Sequence, residues 1–208
     1  MIKQAIRDFI VKRTFAAKLR NKGMNTFSNF EILKSIRSSA ELKRTEEKRP
    51  HEVMYFHKVD DPYSHLAIQY IDKLQESFDI SFQAILVGEE NADAVHEPSL
   101  YSTYCLDDAR RIAPFFGVEF SAESSPSGEL VIKSNKILTA VDALNFAEVA
   151  KKVSSALWSG KESILDDLSR EYSSTDEEVS NKLESGNLIR NEKDYYFGSA
   201  FYYEKELY

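Results

Sequence analysis

Hydrophobic positions change their period several times along the chain, and each change marks an element. Ile2, Ile6, Phe9 and Ile10 recur at helical spacing with Lys3, Arg7, Lys12 and Arg13 between them, which predicts a basic amphipathic helix within residues 1–22, stopped at Gly23. Ser28-Asn29-Phe30-Glu31 has capping-box spacing, and Ile32, Leu33, Ile36 and Ala40 carry a second helix into a charged run, Glu41 to Arg49, closed by Pro50. The period then shortens. Val53 to Val59 is a nearly continuous β-branched and aromatic run, the mark of a largely buried strand. Asp60-Asp61-Pro62 turns the chain, and Leu66, Tyr70, Ile71 and Leu74 restore the helical period as far as Phe78. Ile80 to Val87 reads as a second strand, ended by Gly88.

Strand, helix and strand in this order make a βαβ unit with parallel strands and a right-handed crossover. Helical signals follow: Asp107 to Phe116, interrupted by Pro114; Asp142 to Trp158, stopped by Gly160; Ser163 to Tyr172; and Ser174 to Ser185, stopped by Gly186. Ser121 to Gly128, with its Ser, Pro and Gly, predicts an exposed loop. The chain closes with Gly198 to Tyr203, a turn at Glu204-Lys205-Glu206, and Leu207-Tyr208, a hairpin whose second strand has barely begun. The expectation is a chain truncated at its C-terminus, or a final strand and helix supplied from elsewhere. Tyr195, Tyr196, Tyr202 and Tyr203 read as strand packing. The pattern divides the chain into a basic helical extension, 1–50, and an α/β domain, 51–208, with a helical insertion at about 100–190.

A length of 208 residues suffices for one well-buried domain with appendages, and 42% hydrophobic against 29% charged residues is ordinary for a soluble globular protein. No apolar run approaches the ~20 residues that cross a bilayer, which predicts no transmembrane segment. A single cysteine, Cys105, and no secretory leader make the cytoplasm the expected location. The net charge of −7 is unevenly spread: residues 1–50 hold 13 Lys/Arg against 5 Asp/Glu, and the rest hold 14 against 29. So acidic a body argues against nucleic acid as the main partner. The basic segment has three readings, a packed extension, a partner-binding arm and a membrane-surface anchor.

The run Tyr55 to Ala67, with Asp61-Pro62-Tyr63-Ser64 at its turn, and the terminal Tyr196-Phe197-Gly198-Ser199-Ala200-Phe201-Tyr202-Tyr203 resemble the DsbA-like thioredoxin-fold family, in the branch of 2-hydroxychromene-2-carboxylate isomerase and kappa-class glutathione transferase. The resemblance covers roughly three quarters of the chain, and it implies an α/β fold: a thioredoxin-like sheet with a helical insertion subdomain, here preceded by the N-terminal helical extension. It also implies an isomerase or transferase within an oxidoreductase superfamily, a small organic substrate, and glutathione as activator or nucleophile. Redox relatives carry Cys-x-x-Cys at the turn, where a helix N-terminus stabilises a thiolate. Asp61 and Ser64 occupy both positions, so thiol–disulfide exchange is excluded there. The glutathione branch has a serine at the first position, whereas a carboxylate about 4 Å from a thiolate opposes it by roughly 1–4 kcal/mol. Thioredoxin folds also place a cis-proline opposite the turn; the corresponding stretch is Phe197-Gly198-Ser199.

The candidate catalytic residue is Asp61, either a helix cap before Pro62 or a general base raised in pKa by burial beside Asp60. Asp60, Tyr63, Ser64, His65, Gly198 and Ser199 are the candidate substrate-binding residues. His57, Asp60, Asp61 and His65 form a set whose two imidazoles and two carboxylates would suit a metal ion, but their spacing matches no metal motif, and none is assigned. His96 and Trp158 carry no functional signal, and nothing places Cys105 near the turn. Two functions stand side by side: a small-molecule isomerase or transferase with Asp61 as base or polar anchor, and a catalytically degenerate thioredoxin-fold module that binds a partner protein. An oligomer or a second domain is compatible with either.

Overall fold

The computed structural model describes residues 14–27, 29–90, 94–95 and 97–208. The helix expected over Ile2 to Ile10, the Ser28 cap and His96 lie outside them. The chain divides at Pro50 into two units.

The first unit contains α1 (Thr14–Phe27) and α2 (Phe30–Glu46). Gly23 lies inside α1 and does not stop it: no atom stands within 4 Å of where its Cβ would be, and a lone glycine costs a helix only about 1 kcal/mol. Asn29 caps α2, its side chain accepting from the Glu31 amide at 2.9 Å. Near the other end Arg44 holds Glu41 through two hydrogen bonds, of 2.9 and 2.6 Å. No residue of α2 is buried, so Phe30, Ile36 and Leu42 are exposed.

The second unit begins with β1 (Glu52–His57), α3 (Pro62–Ser77) and β2 (Ser81–Leu86). The strands are parallel, in register from Glu52 opposite Ser81 to His57 opposite Leu86. Five helices follow: α4 (Pro98–Phe116), α5 (Gly128–Ala140), α6 (Phe146–Trp158), α7 (Glu162–Glu171) and α8 (Asp176–Glu192). The chain then returns as β3 (Ala200–Tyr203), antiparallel to β1, and β4 (Glu206–Leu207), antiparallel to β3, in the order β2-β1-β3-β4. Glu204 and Lys205 connect the last two strands with φ of 44° and 74°, the pair of positive values that a tight two-residue hairpin turn requires.

Central strand β1 is covered on both faces, which explains its hydrophobic run without alternation. Tyr55 enters the larger core with Ile68 and Ile71 of α3, Ile137 of α5, Val153 of α6 and Leu165 of α7. Its neighbour Phe56 points the other way, toward Ile85, Val87, Ala200 and Ile189 of α8. This is the thioredoxin-like sheet with a helical insertion that the sequence predicts.

The insertion departs from the pattern in three places. Helix α4 starts at Pro98, well before Asp107, and Pro114 lies inside its last turn; the missing amide removes one bond near the end without breaking the helix. Gly117, at φ 62°, ends it. The loop expected over Ser121 to Gly128 is followed by an unforeseen helix, α5, capped by Ser127. Gly186 does not end α8, which runs on to Glu192. A Cβ at Gly186 would lie 1.9 Å from the Leu86 carbonyl oxygen, so this glycine marks where α8 rests directly on β2.

Candidate functional site

Asp61 stands at the junction of β1 and α3. Its side chain accepts from the Ser64 amide at 2.8 Å, and Pro62 opens the helix at a position where the N–H it lacks would have had no intrahelical partner. The carboxyl group is buried. Burial pushes its pKa up to about 6, against the Ser64 hydrogen bond and the nearby Lys58 charge, which favour ionisation.

Beside Asp61 is a depression of about 220 Å³ between the start of α3, helix α4 and the segment after β2. Lys58, Asp60, Asp61, Glu90, Tyr101 and Cys105 are among its walls. Lys58 pairs with Asp60 at 3.1 Å and Glu90 at 3.3 Å. Although burial opposes its charge, these carboxylates hold the ammonium above its ordinary pKa. Burial also raises the Tyr101 hydroxyl and the Cys105 thiol, which hydrogen-bond one another, so both stay protonated at neutral pH. The mouth of the depression therefore has three carboxyl groups for one ammonium, with neutral O–H and S–H groups opposite.

Only part of the expected constellation meets here. Asp60 and Asp61 line the depression, and Gly198 backs Asp61: a Cβ on it would lie 2.8 Å from the Asp61 Cγ. Gly198 thus faces the turn at close range. The other expected residues do not line the depression. Ser64 is fully buried beside Asp61: its hydroxyl accepts from the Lys58 amide at 3.0 Å and hydrogen-bonds the Asp61 carboxyl. Tyr63 is not among the residues that line this depression and reaches α4, donating to Asp108 at 2.8 Å. Ser199 offers its carbonyl to the Tyr195 hydroxyl at 2.6 Å; Tyr195 precedes β3, which begins at Ala200, and packs against the sheet residues Phe56, Ile85, Val87 and Ala200.

His65 belongs to a different depression, with Gln69, Glu119, Lys151 and Trp158. Its Nδ1 bonds Ser154 Oγ at 2.7 Å, its Nε2 accepts from Gln69 at 3.0 Å, and burial lowers its pKa to about 4. His57 is buried beside Tyr55 and Phe146, its pKa lowered to about 3. The suggested convergence of two histidines and two aspartates does not form. Among the described residues no group of three or more His, Cys, Asp or Glu side chains is placed to hold a metal ion. Nor is any helix among them long and apolar enough to cross a membrane.

Gly198→Ala tests the contact across the site. The new methyl meets the Asp61 carboxyl and is expected to cost about 1–3 kcal/mol in urea denaturation. Asp61→Ala in the same background removes the obstructing Cγ and Oδ2, leaving only Cβ, and should recover part of that loss, as non-additivity between touching residues requires. Strict additivity would contradict the contact.

No protein-family model matches the sequence, and no curated protein matches it. Among solved structures, a 2-hydroxychromene-2-carboxylate isomerase is similar, with 13% identity over 76% of this chain and 87% of that one, and a TM-score of 0.54. At that identity the likeness is one of architecture. Strand order, the antiparallel return to β1 and the helices between β2 and β3 together make the fold thioredoxin-like, with a helical insertion.

Proposed function

We propose that the chain binds a small, uncharged organic substrate in the Asp61 depression and isomerises it by proton transfer. The observation that carries this reading is Asp61 itself: a buried carboxyl titrating near pH 6, in the wall of a cavity, at the turn where this fold has its reactive group. As carboxylate it takes a proton from a carbon beside a carbonyl. The C–H electron pair moves toward the carbonyl oxygen, which accepts a hydrogen bond from Tyr101, and return of the proton at another carbon completes an isomerisation without net redox change.

The donor set does not fit glutathione. That tripeptide is an anion, and its working form adds a thiolate; here it would meet Asp60, Asp61 and Glu90, while Lys58 is already paired with two of them. The second reading, a binding module without catalysis, is supported by the Ser64 hydrogen bond, which accounts for Asp61 as a cap.

The test is solvent-deuterium exchange at the carbon next to the carbonyl in a panel of uncharged enolisable aldehydes and ketones, followed by NMR. We expect exchange that rises through about pH 6, falls by about 10²-fold or more in Asp61→Asn, and is indifferent to added glutathione. Exchange equal in both proteins favours the module. Tight calorimetric binding of glutathione by the wild type would overturn the argument from charge; binding gained only by Asp61→Ser would support it.

A further inference from the structure

We infer that Arg190 is a positioning residue for the Asp61 depression, a buried guanidinium that ties the segment carrying Glu90 to the segment carrying Gly198. The inference rests on the acid–base reading of Asp61 and adds what holds the walls around it.

Arg190 lies near the end of α8 and is 1% exposed. Its Nη1 donates to the Phe197 carbonyl at 2.8 Å and approaches that of Gly88 at 3.5 Å; its Nη2 donates to the Glu89 carbonyl at 2.9 Å. Among the described residues these carbonyls are its close polar partners, and its buried Nε has none. A buried cation that meets carbonyl dipoles and touches no carboxylate is costly, and an apolar side chain of similar volume would fill the space without that cost. Packing alone does not account for a guanidinium here. Its planar fork does: it is the geometry that reaches two segments at once.

Both segments end at the depression. Glu89 precedes Glu90, which pairs with Lys58 at 3.3 Å. Phe197 precedes Gly198, against which Asp61 packs. Neighbours of Arg190 reinforce each side: Asn187 accepts from the Gly88 amide at 2.9 Å, and the Tyr195 hydroxyl donates to the Ser199 carbonyl at 2.6 Å. The close approach at Gly186 sets the helix at the height from which these side chains reach. The charged and titratable groups around Asp61 then come from every packed element: Tyr55 and Lys58 from β1 and its end, Asp60 from the turn, Glu90 after β2, Tyr101 and Cys105 from α4, and Tyr195 after α8.

The test is an NMR titration of the Asp61 carboxyl in the whole chain, for wild type, Arg190→Met, Arg190→Lys and Tyr195→Phe, with thermal midpoints measured alongside. In Arg190→Met the walls separate and water reaches Asp61, so its midpoint should fall by about one pH unit or more, toward the ordinary carboxylate range. Arg190→Lys keeps the charge without the fork and should give an intermediate shift. Tyr195→Phe removes one hydrogen bond only and should shift the midpoint in the same direction by less, which keeps the inference testable if Arg190→Met does not fold. Lowered thermal midpoints with an unchanged Asp61 midpoint in every folded variant would give Arg190 a purely structural role and overturn the inference. A wild-type midpoint already in the ordinary range would instead sink the acid–base reading on which it rests.

Discussion

Gly186→Ala is expected to destabilise the protein by about 3 kcal/mol or more, a drop in thermal midpoint of roughly 6–12 °C for a chain of this size. Alanine is the better helix former by about 1 kcal/mol, so intrinsic propensity predicts the opposite sign. Space decides the outcome. The added methyl would sit 1.9 Å from the Leu86 carbonyl oxygen, 3.0 Å from its carbon and 3.3 Å from Ile85 Cγ2. The first two atoms are backbone and cannot rotate aside, so α8 must lift off β2. Gly23 supplies the control, because nothing stands within 4 Å of its missing Cβ. Gly23→Ala should be neutral or stabilising by up to about 1 kcal/mol. Thermal denaturation of both variants checks the contrast; a neutral Gly186→Ala would refute the close approach of α8 to the sheet.

Asp61→Asn is expected to stabilise the fold while abolishing proton transfer. The folded pKa of about 6 lies above the ordinary 3.8. Between those values the folded state binds the proton that the unfolded state releases, so the favourable contribution of neutral Asp61 is complete below about pH 3.8 and lost as pH rises through 6. At pH 7.5 the ionised carboxyl thus costs roughly 2–3 kcal/mol, at about 1.4 kcal/mol per pH unit. Asparagine caps a helix as well as aspartate and carries no charge, so the variant avoids that cost and keeps the cap. Its thermal midpoint should exceed the wild type by roughly 4–12 °C at pH 7.5, and the two should converge near pH 4. His57 and His65, whose pKa values are depressed to about 3 and about 4, destabilise the fold as pH falls below 6.5, but they do so in both proteins and cancel in the difference. Equal midpoints at pH 7.5 would mean that Asp61 is not held against its own ionisation. A group that weakens the fold in its working state is what a catalytic carboxylate is expected to be, and a mere cap is not.

The βαβ unit was legible because its signals are local. The hydrophobic run of β1, the Asp61-Pro62 start and the helical period of Leu66, Tyr70 and Ile71 are all fixed within a few residues of one another. Gly186 was not legible as a contact, since a glycine that ends a helix and a glycine on which a helix rests look alike until the opposing strand is in place. The early start of α4 was hidden because Glu97 makes no side-chain cap. The candidate site shows the same division. Asp60 and Asp61 were read from the turn, and Gly198 from its place before β3. Glu90, Tyr101, Cys105 and Arg190 come from distant segments, and no spacing in the sequence joins them to the turn. His65, adjacent in sequence to the site, points away from it because successive positions on α3 face different neighbours.

The most direct test of the central claim is the titration of the Asp61 carboxyl in the wild-type protein by carbon NMR, with the resonance assigned by its loss in Asp61→Asn. The account predicts a midpoint near pH 6 that moves when a ligand fills the depression. A midpoint at or below 3.8, unaffected by any ligand that binds, would show a helix cap and nothing more.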